Sequence, residues 1–510
     1  MSPIFITGSG LKIEDIIRVA RYDAEVKLAN SARDQIEQAH SWVNDILAKG
    51  DPVYGINTGF GIFAERRIPD AEAIKLSRNL ILSHAVGTGL PLEDEIVRAA
   101  MLIRANTLAK GHSGVRVEVV EILLELLNKK VTPIVPSQGS LGSSGDLSPL
   151  SHLALVFSTD ENNIESESGQ ARFQGQIYSG KEAMQRAGID RIILGAKEGL
   201  AVNNGATFSA AIAALAVHDA GTLLETAEIT LSMTLEAVKG RSSAFDQRLH
   251  EARGHQGQLE VAQAVRSLTS GSTLLDSYTR VQDAYSLRCA PQVQGVARDT
   301  FGFVKTIIET EINAATDNPL LFSPEVVLSG GNFHGEPVGM AMDFLSIALS
   351  EVASISERRI YRLMDESQNA GLPPMLVDQC NDAGLNSGLM MLQYTAASLV
   401  LENQTLATPD TVHSLPTSGG QEDHNANSMT AARHAKRIVE NTAHIVAIEL
   451  YAASRAFDLR KREDPSIVFG KGTAVVYKKI RENITFLCGD ALWGPEVEQL
   501  RRLILEQKLV

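Results

Sequence analysis

The tract from residue 206 to 238 is rich in apolar residues and contains His218, Asp219, Glu225 and Glu228. Those polar residues rule out an ordinary membrane span, because a charge left at the bilayer centre costs several kcal/mol. What remains is one helix of some 30 residues, roughly 45 Å long, apolar around most of its circumference. Such a helix has to be buried among others of similar length. The sequence supplies them at 295–314, 338–364, 385–401 and 427–459, joined by loops rich in glycine or proline. Aromatic residues make up only 5% of the chain and alanine and leucine are plentiful, a balance that favours helix over sheet.

The first part of the chain reads differently. A short strand and turn precede a helical pattern at 31–49, which ends at Gly50-Asp51-Pro52. A glycine-rich loop follows to residue 69, then helical segments at 70–85, 92–108 and 115–127. The polar stretch 160–180 has turn signals that suggest a small hairpin. No alternation of strand and helix appears, so a doubly wound nucleotide-binding sheet is excluded. The expected fold is mainly α. It comprises an elongated bundle of long antiparallel helices in residues 201–510 and a smaller mixed domain in residues 1–200.

A net charge of −14 argues against nucleic acid or an anionic membrane as partner. Cys289, Cys380 and Cys488 are sparse and unpaired in spacing, as expected of reduced thiols in a cytoplasmic protein. The N-terminus lacks the basic and apolar regions of a signal peptide. His250 and His255 are five residues apart and do not share a helical face, so no metal is expected there or elsewhere.

Between residues 139 and 152 lies Gly-Ser-Leu-Gly-Ser-Ser-Gly-Asp-Leu-Ser-Pro-Leu-Ser-His. The amide nitrogen of Gly145 can attack the Ser143 carbonyl carbon, because glycine has no Cβ to block so sharp a turn. Loss of two waters, one taking the Ser144 hydroxyl, leaves a five-membered ring with an exocyclic C=CH2. The product, 4-methylideneimidazol-5-one (MIO), is an electrophile made from the chain, suited to a difficult elimination. On these residues alone a plain reading stands beside it: a serine-rich turn with Ser148 as helix N-cap and Pro149 at the first helical position.

The segment resembles the reactive loop of the aromatic amino acid ammonia-lyases and aminomutases, with Ser143 where alanine is usual. The resemblance recurs in order along nearly the whole chain. It implies that Tyr54, in Val-Tyr-Gly-Ile-Asn-Thr-Gly-Phe-Gly, takes the substrate's β-proton, and that Asn204 contacts the electrophile. Arg288 would hold the α-carboxylate, for which its two-pronged donor geometry is apt, and Tyr285 would be a second active-site tyrosine. Ala284 stands where proline is common. Asn203 occupies a normally apolar position, either as a loop residue or lining the substrate pocket. Asn332 and Phe333 match the segment that packs near electrophile and carboxylate, with His334 as in the histidine lyases. The loop 315–319 is also family-like.

Two regions bear on the substrate. Ser83-His84 is the pair typical of histidine lyases, although some tyrosine aminomutases carry it. Gln421-Glu422-Asp423-His424 looks like the histidine-lyase sequence with its essential glutamate. Counted back from Ser428-Met429, however, the segment is two residues longer and puts His424 where phenylalanine lyases have glutamine. Both registers stay open. The resemblance therefore implies an ammonia-lyase for an aromatic amino acid, L-histidine to urocanate before tyrosine or phenylalanine, and a 2,3-aminomutase after them. A catalytically silent structural paralogue is the reading from a different class. The family also implies a homotetramer whose active sites are shared between subunits.

Overall fold

The computed structural model describes residues 2–378 and 383–509, so Cys380 lies outside the described residues. Helix dominates, as expected of a mainly α fold. Contacts divide the chain into two compact units. The first comprises 1–218, 305–343 and 409–433, and the second 219–304, 344–408 and 434–510.

In the first unit, helix Asp94–Ala109 is buried along nearly its whole length. Its apolar residues explain most of that, and its buried polar residues find partners, as Arg98 shows. The guanidinium donates to the carbonyls of Val19 (2.8 Å), Ala20 (3.3 Å) and Leu127 (3.3 Å). Those carbonyls close helices Ile13–Ala20 and Val117–Lys129, so one cation satisfies two helix C-termini where the dipole favours it. The hairpin expected within 160–180 is Gln170–Phe173 paired antiparallel with Gln176–Ser179. Gln174 and Gly175 join them, both at positive φ (50° and 80°), which is the twist a two-residue hairpin turn requires. A third strand, Thr132–Pro133, completes the sheet. Helix Asn30–Lys49 ends at Gly50, whose φ of 76° closes it in the left-handed conformation.

The second unit is held by buried polar groups as well as by its apolar core. Glu449 is fully buried and accepts from Arg359 Nε and Nη2 (2.6 and 2.7 Å), Ser356 Oγ (2.6 Å) and Thr234 Oγ1 (2.7 Å). The carboxylate thus ties together helices Thr207–Ala237, Glu336–Met364 and Ser428–Glu463. Thr207–Ala237 and Glu336–Met364 are long and apolar enough to cross a membrane by composition alone. Of their most apolar windows, 83% and 72% are buried inside the protein, which makes them core helices.

Two long helices depart from their expected places: the pattern at 295–314 is realised as Ala290–Glu311, and a second is displaced the other way. The pattern at 385–401 is realised as Met390–Leu406. The Asp490 carboxylate accepts from the amides of Ser387 (2.7 Å) and Gly388 (2.8 Å), holding that segment out of the helix. At the other end Asn403 is buried and accepts from Asn441 Nδ2 (2.9 Å), so polar residues that read as a helix end continue it inward.

Candidate active site

Tyr54 sits on a loop that its own polar side chains fold. Asn57 accepts from the Val53 amide (2.7 Å) and donates to the Asp51 carbonyl (2.9 Å). An isolated bridge pairs Thr58 with Arg67. Gly55 sits at φ +71°, a left-handed conformation that favours glycine.

The loop carrying Ser143, Ser144 and Gly145 runs into helix Leu147–Phe157, with Asp146 as N-cap. Ser148 and Pro149 therefore lie inside the first turn, where proline's missing N–H costs nothing. The plain reading of Ser148 as the cap does not hold. The Asp146 side chain is spent elsewhere. It accepts from Ser140 Oγ (2.7 Å), Ser209 N (2.8 Å) and Ser209 Oγ (3.0 Å). Burial pushes its carboxyl up, and these donors oppose the shift. Gly145, at φ +78°, lies so close to Gly205 that a Cβ would be 2.0 Å from the Gly205 carbonyl carbon. The Ser144 carbonyl accepts from Asn204 Nδ2 (3.1 Å) and Gly205 N (3.2 Å).

Beneath this loop lies a set of buried charges. Arg104 donates to the Ala201 carbonyl (3.2 Å) and to Thr207 Oγ1, and burial pulls it down to about 10. Lys197 pairs with Asp317, both side chains fully buried. Burial lowers the Lys197 ammonium, and Asp317 opposes that shift.

Above the loop is a cavity of about 1430 Å3. Glu422 reaches into it and accepts from both reactive-loop hydroxyls, Ser143 Oγ to Oε2 (2.7 Å) and Ser144 Oγ to Oε1 (2.8 Å). Thr417 Oγ1 also donates to Oε2 (3.2 Å). Tyr54, Ser83, His84, Asn204, Phe333 and His424 line the same cavity. His84 Nδ1 lies 2.9 Å from the Leu80 carbonyl, which puts the proton on Nδ1, and burial lowers its pKa. His424 stacks on His334 at 5.9 Å. Burial raises the Tyr54 phenol. A backbone hydrogen bond with Gly61 opposes this, and the charges of Glu422 and Asp317 add to it.

The structure therefore gathers Tyr54, Ser83, His84, Ser143, Ser144, Asn204, Phe333 and His424 around one cavity, while Gly145, packed on Gly205, does not line it. Asn203, Asn332, Tyr285 and Arg288, also singled out in the sequence, do not line it either. Asn203 is fully buried and donates to Ser151 Oγ (3.2 Å), and Asn332 is exposed and donates to the Ala315 carbonyl (3.3 Å). Tyr285 and Arg288 belong to the second unit, on the short helix Tyr285–Arg288, with the guanidinium 4.7 Å from the ring centroid. Tyr285 is 69% exposed, and Arg288 Nε has no hydrogen-bond partner among the described residues. Glu422 is the cavity residue that the sequence marks only through the 421–424 motif, whose two possible registers do not by themselves place its side chain over the loop.

The profile of the aromatic amino acid lyases matches residues 11–482. A histidine ammonia-lyase of Caldanaerobacter subterraneus subsp. tengcongensis is 47% identical over 96% of this chain and 94% of its own length. The crystal structure of histidine ammonia-lyase from Trypanosoma cruzi superposes with a TM-score of 0.90 at 35% identity, covering 100% of this chain and 94% of that one. The tyrosine aminomutase of Streptomyces globisporus superposes with a TM-score of 0.92 at 32% identity, covering 100% and 98%.

Proposed function

This chain belongs to the aromatic amino acid lyase family, and on that premise we propose that it is an ammonia-lyase converting L-histidine to urocanate and ammonia. The observation that carries the choice of substrate is the Glu422 carboxylate held over the reactive loop. An imidazole offers that carboxylate an N–H, neutral or charged, whereas a phenyl ring would leave it desolvated and unpaired.

The Ser143-Ser144-Gly145 segment fits the precursor of MIO. Gly145 occupies a place where a Cβ could not stand, and Asn204 and Gly205 would hold the ring oxygen that derives from Ser144. Once formed, the group supplies an electrophilic carbon for the substrate's α-amine. The chain's own side chains do the rest. Tyr54 takes a proton from Cβ, the electrons of that bond become the C=C bond, and the C–N pair leaves with ammonia. Burial and the Glu422 charge both oppose ionisation of Tyr54, so the phenoxide needs a cation nearby. Arg288, on the substrate carboxylate, is that cation, and it arrives with Tyr285 from a second copy in a homotetramer.

The test is direct. Purified protein should have lost two waters, about 36 Da, from its encoded mass. It should release ammonia from L-histidine in step with urocanate absorbance, faster than from tyrosine or phenylalanine. Preferred turnover of either of those, or formation of a β-amino acid, would replace the substrate or the reaction class. An unchanged mass would remove MIO chemistry altogether and leave the silent paralogue.

A further inference from the structure

Ser143 departs from the family's usual alanine, and its hydroxyl has a partner. The two oxygens of Glu422 are held unequally. Oε2 accepts from Ser143 Oγ (2.7 Å) and Thr417 Oγ1 (3.2 Å), and Oε1 accepts from Ser144 Oγ (2.8 Å) alone. The backbone of Glu422 is bridged to Thr417, and the chain after it is held by Asn425, which donates to Ser414 Oγ (2.7 Å) and the Leu415 carbonyl. The intervening Ser418-Gly419-Gly420 turn is exposed with Ser418, Gly419 and Gly420 all at positive φ.

Ring closure and dehydration remove the Ser144 hydroxyl and the Ser143 carbonyl oxygen, and both leave as water. The Ser143 side chain is untouched. Maturation therefore strips Oε1 of its partner while Oε2 keeps both of its own. We propose that Ser143 is a positioning residue. It holds Glu422 by Oε2 so that Oε1, released by maturation, points into the cavity as the single acceptor for the substrate's imidazole N–H. The inference rests on the histidine reading above and deepens it. It also gives the serine a role separate from that of ring precursor, for which only its backbone is needed. Alanine at this position would leave Oε2 with Thr417 alone and free the carboxylate to rotate.

The experiment is a double-mutant cycle of Ser143→Ala and Glu422→Ala. It is read on kcat/KM for L-histidine and on the Kd of urocanate, which stays measurable when turnover does not. Intact mass comes first, because Ser143→Ala should still lose both waters. In the mature protein that substitution should weaken urocanate binding and lower kcat/KM by roughly ten- to a hundredfold, the usual worth of a hydrogen bond to a charged group. In the Glu422→Ala background the same change should cost less than about twofold, since the partner is gone. Ser143→Thr, which keeps the hydroxyl, should restore most of the loss. Wild-type binding and turnover in mature Ser143→Ala would overturn the role. Equal losses in both backgrounds, or a threonine variant as poor as the alanine one, would also overturn it. Failure of the histidine reading looks different: the unsubstituted protein would itself make no urocanate.

Discussion

In the proposed reaction Tyr54 would carry the heaviest demand of any single side chain, because as the base it has to give up its proton where a proton is hard to lose. Its phenol is raised by burial and by Glu422, so removing the oxygen deletes a group whose use is confined to the transition state. Tyr54→Phe should lower kcat by roughly a hundred- to ten-thousandfold with little change in the Kd of urocanate, as measured by steady-state kinetics and equilibrium dialysis. A comparable loss in binding would make it a contact residue instead. At this scale the constrained backbone at Gly55 and Gly145 was legible because small residues and glycines in series announce it, whereas Tyr54 was singled out by resemblance to the family's tyrosine loop. Asn203 and Asn204 show where such reading stops. Asn203 is the last residue of helix Glu198–Asn203 and turns into the core. Asn204 is its C-cap, extended at φ −93° and ψ 135°, and turns to the Ser144 carbonyl. One residue of register separates an amide packed in the core from one that lines the cavity. Glu422 needed the same knowledge of a loop's register, which only the bridge to Thr417 supplies.

The long helices were legible as elements because their apolar runs exceed anything a strand or turn could use. Their boundaries were not, because carboxylates distant in sequence set them, as Asp490 does before Met390. Glu236, in the last turn of Thr207–Ala237, is another such carboxylate. It is fully buried and accepts from Thr473 Oγ1 (2.6 Å), Ser272 Oγ (2.9 Å) and Gly470 N (3.0 Å). Burial outweighs those donors and lifts its pKa from 4.5 to about 7. A carboxyl raised in the folded state binds its proton more tightly than the unfolded chain does. Its contribution is therefore full below pH 4.5 and lost as the pH rises to about 7. The loss is on the order of 3 kcal/mol. Urea or thermal midpoints should accordingly fall between pH 5 and pH 8, and Glu236→Gln, neutral throughout, should flatten that fall. An undiminished pH dependence in the glutamine variant would assign the effect to other groups.

In the whole molecule, the second unit exposes large apolar side chains in stripes that a lone chain has no use for. Phe344 and Ile347 lie one turn apart on Glu336–Met364, 40% and 44% exposed, and Phe303 packs 6.0 Å from Phe344. Met391, Tyr394 and Leu401 are each at least 60% exposed along Met390–Leu406. Contiguous apolar surface of this kind marks an interface, and helices of one chain find their complement most simply in symmetry copies. Light scattering should give about four times the 55.0 kDa of one chain. The stronger prediction concerns what assembly does for chemistry. Tyr54 lines the cavity and Arg288 does not, so if Arg288 serves that cavity from a second copy, two dead variants can repair each other. Tyr54→Phe and Arg288→Ala, each inactive alone, should recover about a quarter of wild-type activity when co-expressed in equal amounts. Random assembly leaves that share of sites with an intact tyrosine from one copy and an intact arginine from another. If both residues acted within one chain, every site would carry a lesion and no activity would return, whatever the oligomeric state.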